Sequence, residues 1–152
     1  MSIQMQVVGI FFRASLPLTS VTSVRDVLVT AQREAAAGSI PGVRSFDFRD
    51  DGKVLIAARA IYTAPVQGRA TGRVYPPGEY YLAQNSSALP AYSQWQYYVL
   101  DENGRSTTDG GVRLLDSPKA VVPANGTLIW RLVNILAGPN PAPRSVISSL
   151  ES

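Results

Sequence analysis

Ile3, Met5 and Val7 alternate with Gln4 and Gln6, and residues 8–12 are apolar apart from Gly9. This pattern predicts a strand that begins half-exposed and ends buried on both faces. Residues 14–21, which include Pro17, read as a connection or a short edge strand. The period then changes. Val24, Val27, Leu28, Ala31 and Ala35 recur at the spacing of one helical face, and Arg25, Gln32, Arg33 and Glu34 lie largely off it. Thr22 or Ser23 can cap this helix, with Asp26 completing a box-like start, and Gly38 and Pro41 stop it. The helix is expected over residues 23–37, lying on a sheet.

The rest of the chain alternates with period two. Residues 43–49 and 53–62 read as strands joined by Asp50-Asp51-Gly52, a hairpin turn, and the run at residues 54–58 is apolar enough for a central strand. Residues 64–77 read as a loop, with Pro65, Gly68, Gly72, Pro76 and Pro77. Further strands are expected at 79–83, 93–100, 112–115, 120–122 and 127–136, with Asn103-Gly104 and Asn125-Gly126 as turns. In the strand at 93–100, Trp95, Tyr97 and Val99 face one way, and Gln94, Gln96 and Tyr98 the other. Residues 1–137 form a single β-rich domain, and 138–152 a Pro/Ser-rich tail, extended or mobile unless a partner holds it. The fold class is α+β, β-rich: a mixed or antiparallel sheet of about six to eight strands covered by one helix, β-grasp-like, with a small β-barrel as the alternative.

Three segments taken together resemble a known family. They are Val24-Arg25-Asp26-Val27-Leu28, then Trp95-Gln96-Tyr97-Tyr98-Val99, and finally the approach Pro123-Ala124-Asn125-Gly126 into Thr127–Trp130. The pattern resembles the C-terminal β-grasp-type domain of the transcobalamin family, which also recurs in bacterial surface proteins. This chain departs from it by extra residues after Val99 and by a long loop between Tyr62 and Tyr80. The resemblance implies an architecture and a module that binds a ligand or partner; it does not extend to cobalamin.

Composition narrows the chemistry. The 152 residues contain no histidine and no cysteine. The commonest metal ligands, the usual general base near neutral pH and the thiol nucleophile are all missing. No disulfide framework is possible, and no cofactor or metal is expected. No nucleophile elbow, Walker loop or dinucleotide fingerprint is present. Charged residues make up only 16%, below the usual quarter of a globular chain, which suits packing against something else. The net charge is +3, and with Lys53 and Lys119 the only lysines it is carried mostly by arginine. The arginines are scattered from Arg13 to Arg144 without a run, so a nucleic-acid partner is not expected. Residues 7–12 are too short an apolar run for a signal peptide core or a membrane span. A cytoplasmic location is the default expectation, with particle association or signal-independent export open.

The densest feature is aromatic: Tyr75, Tyr80, Tyr81, Tyr92, Trp95, Tyr97 and Tyr98. Tyrosine gives a rigid contact face with a polar tip, which suits interfaces and ligand walls. One member of each adjacent pair must face the core. With Arg69 and Arg73 on the preceding loop, these residues form the candidate binding patch. Among the acids, Asp47, Asp50, Asp51, Asp101, Glu102 and Asp109 fall at turns, and Asp101-x-Asn103-Gly104 is a hairpin turn rather than a calcium loop. Glu79 alone lies inside an aromatic strand, where burial would raise its pKa and an exposed edge position would not. The expected function is a non-catalytic interaction or assembly subunit that binds protein partners, or itself, through the aromatic patch and its sheet edges. The alternative is a small-molecule-binding β pocket, possible as a histidine-free cyclase or isomerase, which would need the aromatics to point inward around a cavity.

Overall fold

The computed structural model describes residues 2–67, 72–84, 91–108, 111–118, 120–136 and 144–147. In chain order the elements are β1 (Ile3–Val7), β2 (Phe12–Leu16), β3 (Thr22–Ser23), α1 (Val24–Ala36), β4 (Val43–Asp50) and β5 (Leu55–Tyr62). They continue with β6 (Val66–Gln67), β7 (Val74–Tyr75), β8 (Gly78–Ala83) and β9 (Ala91–Leu100). The last are β10 (Val121–Val122), β11 (Thr127–Leu136) and β12 (Arg144–Ile147). The chain is α+β and β-rich, with one helix among the described residues.

The helix begins and ends as its sequence requires. The Ser23 hydroxyl accepts the Asp26 N–H at 3.1 Å, the first cap bond. At the other end Gly38 is left-handed, at φ 75°. Its N–H reaches the Ala35 carbonyl at 3.1 Å and the Ser39 N–H the Glu34 carbonyl at 3.0 Å, the paired bonds of a Schellman stop. Val24, Val27, Leu28 and Ala31 are fully buried, so the apolar stripe faces the core.

The large sheet is mixed. β11 runs parallel to β1, pairing Gln4 with Thr127 and Val7 with Trp130, and antiparallel to β9 along its whole length. β2 pairs antiparallel with β1 and ends the sheet on that side. The order β2–β1–β11–β9, with a helix after the first hairpin and parallel first and last long strands, is the β-grasp-like arrangement. β12 pairs with Val133–Leu136 of β11, continuing the line of β1, inside the stretch read as a tail. A second sheet, β4–β5–β8, is antiparallel and carries the expected hairpin, with Gly52 left-handed at φ 91° in its turn. The sheets are open, so the barrel alternative does not hold. The core lies between the inner face of the large sheet, α1 and the inner face of β4–β5–β8, with Phe12 stacked on Phe46 at 4.4 Å.

One expectation is corrected. Residues 8–12 do not continue the first strand. The chain reverses at Val8–Phe11 and returns as β2. Gly9 supplies a positive φ of 99°, and Phe11 is held at 62°, where a bulky side chain is strained. The turn is wholly apolar because it is itself buried; Phe11 is only 6% exposed. Likewise the loop read at 64–77 contains the short ribbon β6–β7, pairing Val66 with Tyr75. The strand expected at 112–115 reduces to single bridges, Val112 to Tyr97 and Leu114 to Val54.

Candidate interaction surfaces

The fold divides the predicted aromatic patch among separate places. Trp95 and Tyr97 sit on the inner face of β9 and are buried, at 1% and 0% exposure, so they belong to the core and not to a surface. Their polar atoms are satisfied internally. The Trp95 indole N–H donates to the Ile56 carbonyl at 3.1 Å, and the Tyr97 hydroxyl to the Leu114 carbonyl at 2.7 Å. Burial pushes the Tyr97 hydroxyl pKa up to about 12. Tyr98 and Tyr92 lie on the opposite, outer face of β9 and are half-exposed. Tyr81 is the most open, at 53%, on the outer face of β4–β5–β8. Tyr75 and Tyr80 are half-buried and pack with Phe11: Tyr75 stacks on it at 4.4 Å and Tyr80 meets it edge-on at 5.3 Å. Tyr80 also contacts Tyr62 at 5.7 Å. Arg73 is exposed, and Arg69 lies outside the described residues. Phe11, Tyr62, Tyr75 and Tyr80 thus pack on one another, while Tyr81, Tyr92 and Tyr98 stand on outer sheet faces.

The acids sort by environment. Glu79 is 54% exposed and 3.8 Å from Arg59, which Asp47 holds at 2.9 Å from the other side. It is an exposed residue on a sheet face. Asp51 caps the hairpin turn, accepting the N–H groups of Lys53 and Val54 at 2.9 Å, and those bonds hold its carboxyl below the usual value. Asp101 accepts from the N–H of Asn103 and of Arg105, which closes a turn. Among the described residues no three acidic side chains cluster as a metal site would require.

The site that sequence reading missed lies beside β2. A groove of about 520 Å³ runs along it, with Gln4, Arg13 and Ser15 on one side and Pro41, Tyr62 and Val66 among the residues on the other. Its polar side follows from the strand alternation. Phe12, Ala14 and Leu16 point into the core, so Arg13 and Ser15 point out. The Ser15 hydroxyl donates to the Gln4 side-chain oxygen at 2.8 Å. The Tyr62 hydroxyl donates to the Ile10 carbonyl, and burial raises its pKa, an effect that Arg13 opposes.

The backbone of β2 is also directed. Gln4 and Val8 donate their N–H groups to Gly126 and Trp130, at 3.0 and 2.9 Å, so residues 4, 6 and 8 turn their main chain toward β11. Ile3, Met5 and Val7 therefore turn theirs toward β2, where they pair with Leu16, Ala14 and Phe12. That leaves the main-chain N–H and C=O of residues 13 and 15 pointing away from β1, along an edge that no described strand covers. The polar–apolar alternation of residues 12–16 is the signal that could have located this strand.

None of the described helices is long and apolar enough to cross a membrane. No known protein-family model, curated protein or solved structure matches the chain.

Proposed function

We propose that this chain is a non-catalytic interaction subunit that takes an extended segment of another polypeptide as an added strand on β2. The single observation that carries this reading is the outward direction of the residue 13 and 15 main chain beside a groove of about 520 Å³. Strand addition draws its affinity from main-chain hydrogen bonds and its selectivity from side-chain positions at alternate residues. Here the selecting positions are Arg13, which favours an acidic residue opposite it, and the apolar and aromatic wall of Pro41, Tyr62 and Val66. The histidine- and cysteine-free composition supports the reading, as does the burial of the tyrosine hydroxyls most withdrawn from solvent.

The test pairs selection from a displayed random-peptide library with light scattering of the pure chain over a wide concentration range. Selected peptides are expected to alternate apolar and polar residues, with an acid placed to meet Arg13. Ser15→Pro removes an outward N–H, leaves the main-chain bonds to β1 intact and loses only the hydroxyl's bond to Gln4, which Ser15→Ala loses as well, so Ser15→Pro but not Ser15→Ala should abolish binding while the fold persists. Self-association abolished by Ser15→Pro would show that the added strand can come from a second copy. A chain that stays monomeric and enriches no peptide overturns the proposal, as does binding indifferent to Ser15→Pro.

A further inference from the structure

The outer face of the large sheet carries a second chemistry on β9 and β11, away from the main-chain edge of β2, although Arg13 of β2 points out on the same face. On β9, Gln96 and Tyr98 alternate with the core residues Trp95, Tyr97 and Val99; on β11, Ile129 and Arg131 alternate with Leu128, Trp130 and Leu132. The strand register sets Gln96 beside Arg131 and Tyr98 beside Ile129. On the far side of β9 the bridge between Tyr97 and Val112, bonded both ways at 2.8 and 3.0 Å, places Arg113 beside Gln96. Arg113, Gln96 and Arg131 thus form one row across three neighbouring segments. At the usual strand spacing the two arginine backbones stand about 10 Å apart. Tyr98 occupies the next row of the same face.

These two arginines differ from the others whose partners are seen. Arg25 and Arg59 are each held by two carboxylates. Among the described residues Arg113 and Arg131 make no ion pair or hydrogen bond, and the Arg113 Nε is shut off from solvent without an acceptor. No described acidic side chain occupies this face. A half-buried cation without a counter-ion is favoured only weakly, and an incoming anion relieves it.

We propose that this face binds single-stranded nucleic acid, with backbone phosphates on Arg113 and Arg131 and a base stacked on Tyr98. Guanidinium groups suit phosphate oxygens in bidentate geometry. Tyr98, half-exposed on this face, offers its ring as a stacking platform that any base can use, and Gln96 between the arginines can donate to or accept from a base edge. A sheet face lacks the projecting helix or ribbon that enters a duplex groove, whereas an unpaired base can lie against a half-exposed ring. An acidic polypeptide would satisfy the arginines and leave the tyrosine face unused. The net charge of +3 adds a weak attraction at longer range.

The test is a fluorescence anisotropy titration of the full chain with a dye-labelled oligothymidylate, repeated with oligouridylate and with polyglutamate as competitor. Binding should weaken steeply as salt rises, and Arg113→Gln and Arg131→Gln should each lower the salt slope by about one. Tyr98→Ala should weaken binding roughly tenfold, while Tyr98→Phe, which keeps the ring, should leave it unchanged. Circular dichroism of each variant separates lost binding from lost fold; if Tyr98→Ala unfolds, the comparison passes to Tyr98→Leu. Ser15→Pro should have no effect, since it acts at the separate edge. Absence of binding at low salt overturns the proposal, as does insensitivity to both arginine variants. Displacement by polyglutamate as effective as by unlabelled oligonucleotide would make the face an acidic-polypeptide site instead.

Discussion

Gly126 stands at the most crowded backbone junction of the domain, and Gly126→Ala tests that crowding directly. Its N–H donates to the Pro123 carbonyl at 2.9 Å, closing the turn before β11, and its carbonyl accepts the Gln4 N–H of β1 at 3.0 Å. A Cβ there would lie 2.7 Å from the Leu100 carbonyl oxygen and 2.8 Å from that of Pro123. Both obstacles are main chain, and each would have to retreat by roughly 0.6–0.7 Å to restore an ordinary 3.4 Å contact. Overpacking of this kind costs about 1–3 kcal/mol. Loosening the two hydrogen bonds adds up to about 1 kcal/mol each. The stiffer unfolded chain of alanine returns about 0.4–1 kcal/mol. The net expectation is a loss of about 3 kcal/mol, or roughly 6–12 °C in Tm for a domain of this size. Urea denaturation with an unchanged m-value measures it. Two other glycines separate the mechanisms. At Gly111 the Cβ would run chiefly into the amide end of Gln96, which can swing aside, so Gly111→Ala should cost less than about 1 kcal/mol. At Gly52 nothing lies within 4 Å, and the penalty comes from φ 91° alone, about 1–2 kcal/mol. If Gly126→Ala costs no more than Gly111→Ala, the close approach of three chain segments at this point is wrong.

Other predictions follow from buried polar groups and ion pairs. Trp95 and Trp130 are equally buried, yet only the Trp95 indole has a hydrogen-bond acceptor. Trp95→Phe should therefore destabilise more than Trp130→Phe, by about 1 kcal/mol in the same denaturation assay. The raised pKa of Tyr62 and the Tyr97 value of about 12 favour the neutral hydroxyls in the folded state. Stability should be level below the ordinary value of 10 and fall above it, as the unfolded tyrosines ionise and the folded ones resist. Tyr97→Phe should flatten that fall in an alkaline unfolding series followed by tyrosinate absorbance. Arg25 joins three segments, bonding Asp116 through two nitrogens, Asp50 and the Gly52 carbonyl. Arg25→Ala should destabilise at low salt and less at high salt. Because Arg25 holds the Asp116 carboxyl below its usual 3.8, the stability from that pair is present above 3.8 and lost as pH falls through the lowered value. In Arg25→Ala that loss disappears with the pair, so stability should be lower above 3.8 and the acid limb of the curve should flatten.

Local signals in the chain determined the local structure. Helix α1, with its Ser23 cap and Gly38 stop, the hairpin at Asp50-Asp51-Gly52, and the inward Trp95-x-Tyr97-x-Val99 face were legible because each depends on neighbours within a turn or a strand. The buried reversal at residues 8–11 was not. Its apolar residues carry the composition of a central strand, and only tertiary contacts explain why an apolar turn is stable there: Ile10 lies in the core with its carbonyl bonded by Tyr62, and Phe11 packs on Tyr75 and Tyr80. Tertiary structure also decided the surfaces. Tyr80 and Tyr81 are adjacent in sequence, but the pleat sends one toward Phe11 and the other outward to 53% exposure. Arg113 and Arg131 are successive arginines of a chain whose arginines look scattered, and they share a row only because the segment at 112 bridges to β9, which pairs in register with β11. Periodicity reports which face a residue takes within its own strand. Which strands become neighbours, and which edge stays open, is set by the balance of core packing among distant segments, and no local pattern encodes it.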